Sequence, residues 1–542
     1  MQMTEAGSVR PPIHSLAEAL ERAAASPAGL RIFDGRGALA AQASYKELYV
    51  QARARATQLR CLARTELIPP VVGLIAHTHL SFIVDFMACQ WAGLLPCPIP
   101  PPTVALGIET YVQRVSRMLS AVQAKALLLD DTHASLQSHF ERVAEPEIKG
   151  LSLMTTRTLP AVDETVDLRP LQGSEGAYIQ FSSGTTSDPK GIEISQRAIC
   201  HNLNAILHAG LCITPGDRAF SWLPLYHDMG LVGFLLAPIM GAVPLDLLPP
   251  QVFARRPQLW PRLMAELQST ICFAPSFAWS LAADRTPPDE AERIRLNLRV
   301  AGVGGDAVRM HELNRFAERF EAGGFSAKQF QPCYGLAEAT LAVSMGPVST
   351  DTQGQLASGK PLPGWEVRIV DETGAALPAR QVGRIQIRGP ALMTGYWQSG
   401  HLSPVQPDEW FLTEDLGYLA STGELVVTGR LQSLLVLRGR NVHAEAIEDA
   451  VCAALHLPHG TVLAYQEVPQ QSLSTGLVVL VECSLQDAEQ REQWMVTARK
   501  AAFHVSGDAT EIRLVPPRTV KLTTSGKIAR QTTLDQILKV HD

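Results

Sequence analysis

The sequence predicts an α/β protein. A large N-terminal domain of parallel αβ sheets plus a small barrel is followed by a small α+β domain. Three observations carry this. Short apolar runs alternate with longer stretches of helical periodicity through most of the chain, the pattern of parallel sheets covered by helices. The texture then changes to short alternating strands with Gly and Pro between them, which reads as antiparallel sheet or barrel. Finally, 542 residues exceed what one core needs.

The elements follow in order. Val71 to Ala76 reads as a buried strand, and Leu80 to Trp91 as a helix, with Phe82, Ile83, Phe86, Met87 and Trp91 at helical spacing. Leu94 to Pro102 is a strand ending in a proline block. Tyr111 to Val122 is helical and Ala126 to Asp130 is another strand. A loop-rich stretch covers about 344–363. Beyond it Glu366 to Val370, Gly383 to Arg388 and Glu424 to Thr428 supply the barrel texture. From about Leu431 the chain has its own strands, Leu434 to Leu437 and Gly476 to Val481, and its own helices, Ala444 to Leu455 and Asp487 to Phe503. The expected division is 1–429, with the barrel-like part at about 344–429, and 430–542.

Composition excludes several classes. The chain is 46% hydrophobic and 18% charged, which rules out a disordered chain, a coiled coil or a collagen. A formal charge of -6 gives no whole-chain footprint for nucleic acid. The nine cysteines are scattered and form no C-x-x-C pair, against a disulfide framework or structural zinc. The N-terminus lacks the order of a signal peptide. Met229 to Leu245 is the most membrane-like stretch, but Pro238, Pro244 and Asp246 interrupt it, so no transmembrane segment is expected. A cytoplasmic protein is the expectation.

Four segments could carry chemistry. Tyr178-Ile-Gln-Phe-Ser-Ser-Gly-Thr-Thr-Ser-Asp-Pro-Lys-Gly-Ile-Glu-Ile194 places hydroxyls (Ser182, Ser183, Thr185, Thr186), free amides around Gly184, and Lys190 between two strands. That inventory suits an oligophosphate, although a polar hairpin turn has the same composition. It is not the common P-loop, because Pro189 precedes the lysine and a strand follows. In Cys333-Tyr-Gly-Leu-Ala-Glu-Ala-Thr-Leu341, Glu338 lies in a small, apolar run and needs a cation or donors, unless it faces solvent. In Trp410-Phe-Leu-Thr-Glu-Asp-Leu-Gly417, Asp415 suits a pair of ribose hydroxyls or a β-turn. Arg430 follows where the two domains join. Thr523-Thr-Ser-Gly-Lys-Ile528 sets Lys527 on a glycine turn.

In this order the four segments resemble the adenylate-forming superfamily of acyl-CoA ligases, luciferases and peptide-synthetase adenylation domains, over nearly the whole chain. The wording is most similar to the fatty acyl-AMP ligases: Trp222-Leu-Pro-Leu-Tyr-His-Asp-Met-Gly-Leu231, Phe330-Gln-Pro-Cys-Tyr-Gly-Leu-Ala-Glu-Ala-Thr340, Pro98-Ile-Pro-Pro-Pro102, Gly439-Arg-Asn441, and the run from Phe253 to Trp260.

That resemblance implies ATP-dependent activation of a carboxylic acid, a medium- or long-chain fatty acid or alternatively an aryl acid, to acyl-AMP with release of pyrophosphate. Transfer to the phosphopantetheine thiol of an acyl carrier protein, or to CoA, follows. It implies that Ser183, Gly184, Thr185, Thr186 and Lys190, with Ser182 before them, handle the phosphates of ATP. Gly304, Gly305, Asp306 and Tyr334, with Gly335, would line the adenine slot. Glu338 would bind Mg²⁺ and Thr340 would contact the α-phosphate region. Asp415 would hold the ribose, with Arg430 nearby. Lys527 would be the catalytic lysine of a mobile C-terminal domain pivoting at Gln432. His227 would sit at the acyl pocket, with Trp222, Met229, Leu231, Phe234 and Met240 as candidate lining.

Four departures from the family pattern stand out. Only a short stretch separates Leu341 from Pro361 where fatty acyl-AMP ligases carry an insertion. Gln432 is neutral where relatives have Asp or Lys. Val442-His-Ala-Glu-Ala446 replaces a different run, and Ser187 stands where glycine is common. The first leaves carrier protein and CoA both open as acceptor. His77-Thr-His79 has metal-pair spacing, but with no third ligand in view it reads as loop or core histidine. Cys333 has no local base and reads as packing.

Overall fold

The computed structural model describes residues 12–63, 68–103, 107–143, 150–163, 165–181, 189–352, 354–406, 408–437, 440–467, 476–522 and 528–541. The phosphate-loop candidates Ser182, Ser183, Gly184, Thr185 and Thr186, and the candidate catalytic Lys527, lie outside the described residues.

A nine-stranded sheet forms the centre. Its order is Lys360–Pro361, Ala342–Met345, Phe330–Gly335, Val300–Val303, Ile271–Ala274, Ala219–Ser221, Leu245–Leu247, Gly29–Phe33 and Leu39–Ser44. The strands from Phe330–Gly335 through Gly29–Phe33 are parallel, and the outermost pairings are antiparallel. Every residue of Val300–Val303 and Ile271–Ala274 is buried. Burial on both faces explains why these strands are continuously apolar rather than alternating. Trp260, Trp279, Phe316 and Phe330 pack in tilted and edge-on pairs with centroids 4.5–6.4 Å apart.

A second parallel sheet, ordered Leu95–Ile99, Val71–Ile75, Ala126–Leu129 and Ser152–Thr155, confirms the first strands read from the sequence. The helix Leu80–Ala92 packs beside it and ends on Gly93, whose φ of 73° supplies the left-handed cap. A third, antiparallel sheet pairs Gly176–Phe181 with Gly191–Ser195, then Gly395–Gln398 and His401–Pro404. Residues 182–188 therefore connect two paired strands, with Phe181 opposite Gly191.

The barrel expected at 344–429 is corrected. Glu366–Val370, Gly383–Arg388, Phe411–Leu419 and Leu425–Arg430 form an open four-stranded antiparallel sheet, and among the described residues no pairing joins its outer strands. Gly395–Gln398 pairs with Gly191–Ser195 instead, and Lys360–Pro361 with Ala342–Met345, so the region contributes to three sheets.

From Leu434 onward the chain builds a separate apolar cluster. A hairpin (Leu434–Leu437 and Arg440–His443), a three-stranded sheet (Val462–Glu467, Gly476–Glu482 and Thr510–Val515) and the helices Ala444–Leu455 and Ala488–Ser506 enclose Ile447, Val451, Val479, Ala498 and Ala502. Among the described residues no helix is long and apolar enough to cross a membrane.

Candidate active site

The candidate residues gather where the parallel strands of the central sheet end, the edge at which open α/β sheets bind ligands. Val300–Val303 runs directly into Gly304 and Gly305, and Phe330–Gly335 ends on Tyr334 and Gly335. A β-carbon on Gly304 would lie 2.4 Å from the Cys333 sulfur, and one on Gly335 would overlap the Leu341 carbonyl oxygen. These close approaches demand glycine.

Tyr334 is buried, and its hydroxyl donates to Asp415 Oδ2 at 2.7 Å. Asp415 sits opposite Arg430 on paired strands, and Arg430 Nε lies 3.4 Å from its Oδ1. Burial and the Asp415 carboxylate push the Tyr334 phenol well above its usual range, so it stays a donor.

Glu338 lies on the turn Ala337–Ala339, half-buried, and accepts from the Tyr396 hydroxyl at 2.9 Å. Burial raises its pKa above the ordinary carboxylate range, against its hydrogen bonds. Lys190 Nζ lies 5.9 Å from the centre of the Tyr396 ring. The sheet pairing makes this possible, since Tyr396 stands opposite Ile192, two residues beyond Lys190. Thr340 is fully buried at φ 68°, ψ -58°, a positive-φ conformation that a β-branched residue adopts only under constraint. Its hydroxyl donates to the Ala391 carbonyl at 2.7 Å. Thr340 thus joins the candidate turn to the segment leading to Tyr396.

Beside these groups opens an apolar cavity of about 770 Å³, part of it continuous with solvent. Met229, Phe234, Ala237 and Phe273 line it, and Gly305, Tyr334 and Gly335 stand in its wall too. Two π-helical segments, Ile206–Gly210 and Val232–Leu236, contribute Ile206, Leu207, Gly233 and Phe234. Such widened turns recur at functional sites.

The structure redistributes several predicted residues. Met229 and Phe234 line the cavity, but Trp222, Leu231 and Met240 do not. Trp222 stacks on Phe253 at 3.8 Å within the aromatic core, and Leu231 is fully buried there. Met240 packs half-buried against the same core. His227 precedes the short helix Asp228–Leu231, its ring 4.8 Å from that of Tyr226. Asp306 turns toward Arg309 at 3.2 Å and lies 3.6 Å from His459 of the C-terminal segment. Gln432 donates to Glu414 at 3.0 Å, next to Asp415.

Two residues escaped the sequence reading. Tyr396 gave no local signal, because only strand pairing brings it to Glu338. Asp228, within the quoted Trp222 to Leu231 run, lines the cavity and was legible as its one acidic residue.

The comparisons give the chain the adenylate-forming enzyme fold. A solved structure from a study of fatty acyl-adenylate ligases of E. coli and L. pneumophila matches with a TM-score of 0.87 at 33% identity, covering 98% of both chains. A Caulobacter vibrioides protein named, provisionally, an acyl-CoA synthetase is 33% identical over 95% of this chain and 94% of its own. FadD26 of Mycobacterium marinum, a long-chain-fatty-acid–AMP ligase, is 31% identical over 85% of each chain. The chain belongs to the AMP-binding enzyme family, whose profile matches residues 20–397. It is an AMP-forming, acyl-activating ligase.

Proposed function

We propose that the protein activates a medium- or long-chain fatty acid with ATP to the acyl-adenylate, releases pyrophosphate, and passes the acyl group to the thiol of an acyl carrier protein. One observation carries the reading: Tyr334 belongs at once to the wall of the apolar cavity, with Gly335 beside it, and to the Asp415 hydrogen-bond pair. An oily acid in that cavity would present its carboxylate beside a nucleotide held by Asp415.

In this reading Asp415 accepts from the ribose hydroxyls and Arg430 fixes its orientation. Gly304, Gly305, Asp306 and Tyr334 border the adenine slot, with Asp306 on its outer side. Ser182, Ser183, Gly184, Thr185, Thr186 and Lys190 hold the phosphates. Glu338 fits Mg²⁺: its carboxylate is half-buried, its pKa is raised by burial, and Tyr396 occupies one oxygen. A hard cation that keeps most of its ligands from phosphate and water suits such a donor. When bound it neutralises charge on the phosphates; the protein's own part is positioning, since phosphoryl and adenylyl transfer need little covalent help. Residues 430–542 would turn as a unit at Gln432 to withdraw Lys527 and admit the thiol.

The acceptor is chosen over CoA on the resemblance to fatty acyl-AMP ligases, while the short Leu341 to Pro361 stretch favours CoA. Hydroxylamine trapping with a panel of fatty and aryl acids should give an adenylate with fatty acids, lost in Lys527→Ala. Holo-carrier protein should then outcompete CoA; equal thioester formation on CoA would reassign the enzyme as a CoA ligase.

A further inference from the structure

The second parallel sheet has a crevice of its own. From Val71–Ile75 the chain crosses to one neighbour, Leu95–Ile99, and later comes back to the other side, Ala126–Leu129. Strand order reverses there, which opens a gap at the carboxyl ends of Val71–Ile75 and Ala126–Leu129. His77 and His79 follow the first strand, and Asp130 and His133 follow the second. A small cavity, about 210 Å³ with the open space at its mouth, lies beside them; His77, Phe82, Asp85 and Asp130 line it, and His79 and His133 do not.

Donor atoms of His77, His79 and Asp130 lie within 4.8 Å of one another. Their other contacts decide which atoms face inward. His77 Nδ1 is 3.2 Å from the Ile75 carbonyl oxygen, which can only accept, so Nδ1 carries the proton. In the neutral ring Nε2 then presents a lone pair 3.1 Å from Asp130 Oδ2. Two lone pairs at that distance repel unless a proton or a metal ion lies between them, and the test below separates the two. A tetrahedral ion with bonds of ~2.0–2.2 Å holds its donors about 3.3 Å apart, close to that gap.

His79 Nδ1 accepts from the Ser81 amide at 3.2 Å, capping the helix Leu80–Ala92, and lies 2.8 Å from the Ser81 hydroxyl, which donates to Asp130 Oδ2 at 2.7 Å. An ion on Nε2 would move the ring proton to Nδ1, where the Ser81 hydroxyl oxygen can accept it. On the far side of the carboxylate, Asp130 Oδ1 accepts from the His133 amide at 3.1 Å and lies 2.7 Å from its Nδ1, which fixes the carboxylate's orientation.

We propose that His77, His79 and Asp130 bind a divalent transition-metal ion of the zinc class, with His133 as the positioning residue and one position left to water or an anion. Imidazole with carboxylate selects such ions over Mg²⁺. The exposure of His79 gives the ion a way in. The third and fourth residues come from a strand more than 50 positions along the chain, so the histidine pair alone could not reveal them. The site shares no residue with the proposed nucleotide site and does not depend on that reading.

The test is a Co²⁺ titration of the full chain after chelator treatment, without ATP. One equivalent should bind with the visible absorption of tetrahedral cobalt and be displaced by Zn²⁺. His79→Gln, at an exposed position, should weaken binding at least tenfold, and His133→Ala about 10–100-fold. Glu338→Gln should leave the titration unchanged. An absent cobalt band in the folded wild type, or one retained at full strength in both His77→Gln and His79→Gln, would overturn the site and leave a proton-bridged histidine network.

Discussion

The hydroxyl of Tyr334 donates to Asp415 at 2.7 Å, joining the end of the central parallel sheet to the antiparallel sheet of Phe411–Leu419. The pair fixes the carboxylate proposed to hold the ribose. A hydrogen bond to a charged group contributes ~1.5–3 kcal/mol. Tyr334→Phe should therefore raise the apparent KM for ATP about tenfold with little change in that for the acid, and Asp415→Asn should do more. Pyrophosphate exchange at varied ATP reads this; a change confined to the acid would sink the assignment.

Ala237 stands in the cavity wall and is 2% exposed. Ala237→Phe should fill part of the cavity and shift preference toward shorter acids. Each buried methylene is worth about 0.8 kcal/mol, so two lost methylenes correspond to roughly tenfold in selectivity. The ratio of kcat/KM between long and short acids is the measurement, since loss of folded enzyme cancels in it. An unchanged ratio would place the alkyl chain elsewhere.

Glu448 is buried in the C-terminal unit and takes a two-point contact from Arg530, at 2.6 and 2.8 Å, with a third bond from the Ala464 amide at 2.8 Å. Arg530 follows Lys527 by three residues in the sequence. Arg530→Met leaves a buried carboxylate unpaired, which typically costs about 3–5 kcal/mol. The C-terminal unit should melt first, with adenylation falling alongside. Glu448→Gln in the same chain should recover part of the loss; identical melting of wild type and Arg530→Met would refute the pairing.

Glu312 is buried beside Arg309, and burial pushes its carboxyl up to about 7, with Asp449 and Asp306 also raising it. The folded pKa exceeds the unfolded one, so folding takes up a proton. That contribution is fully present below the ordinary glutamate range and is lost as pH rises through about 7. Glu312→Gln should raise Tm relative to wild type at pH 8, and the difference should vanish near pH 4. A difference independent of pH would show that the charge is already compensated.

Much of the fold was legible. Val71–Ile75, Ala126–Leu129 and the Leu477 to Val481 part of Gly476–Glu482 are strands because their residues are apolar throughout, and parallel or central strands bury both faces. Leu80–Ala92 announced itself by helical spacing. The barrel did not form because pairing is decided between distant segments: Gly395–Gln398 and its neighbour His401–Pro404 join the sheet of Gly191–Ser195 rather than that of Gly383–Arg388. The acyl-pocket residues were half legible for the same reason. Apolar character marks Trp222 and Phe234 equally, yet one packs on Phe253 and the other faces the cavity.

By itself the sequence determined the alternating architecture, the inventory of phosphate-compatible hydroxyls and cations, and the carboxylates set in apolar runs, because local period and side-chain chemistry are written residue by residue. Only the tertiary structure decided that Tyr396 meets Glu338, that Tyr334 caps Asp415, and that Asp130 and His133 complete the pair His77 and His79. Those are contacts between strands far apart in the chain, and register across a sheet is set by collective packing that no single segment encodes.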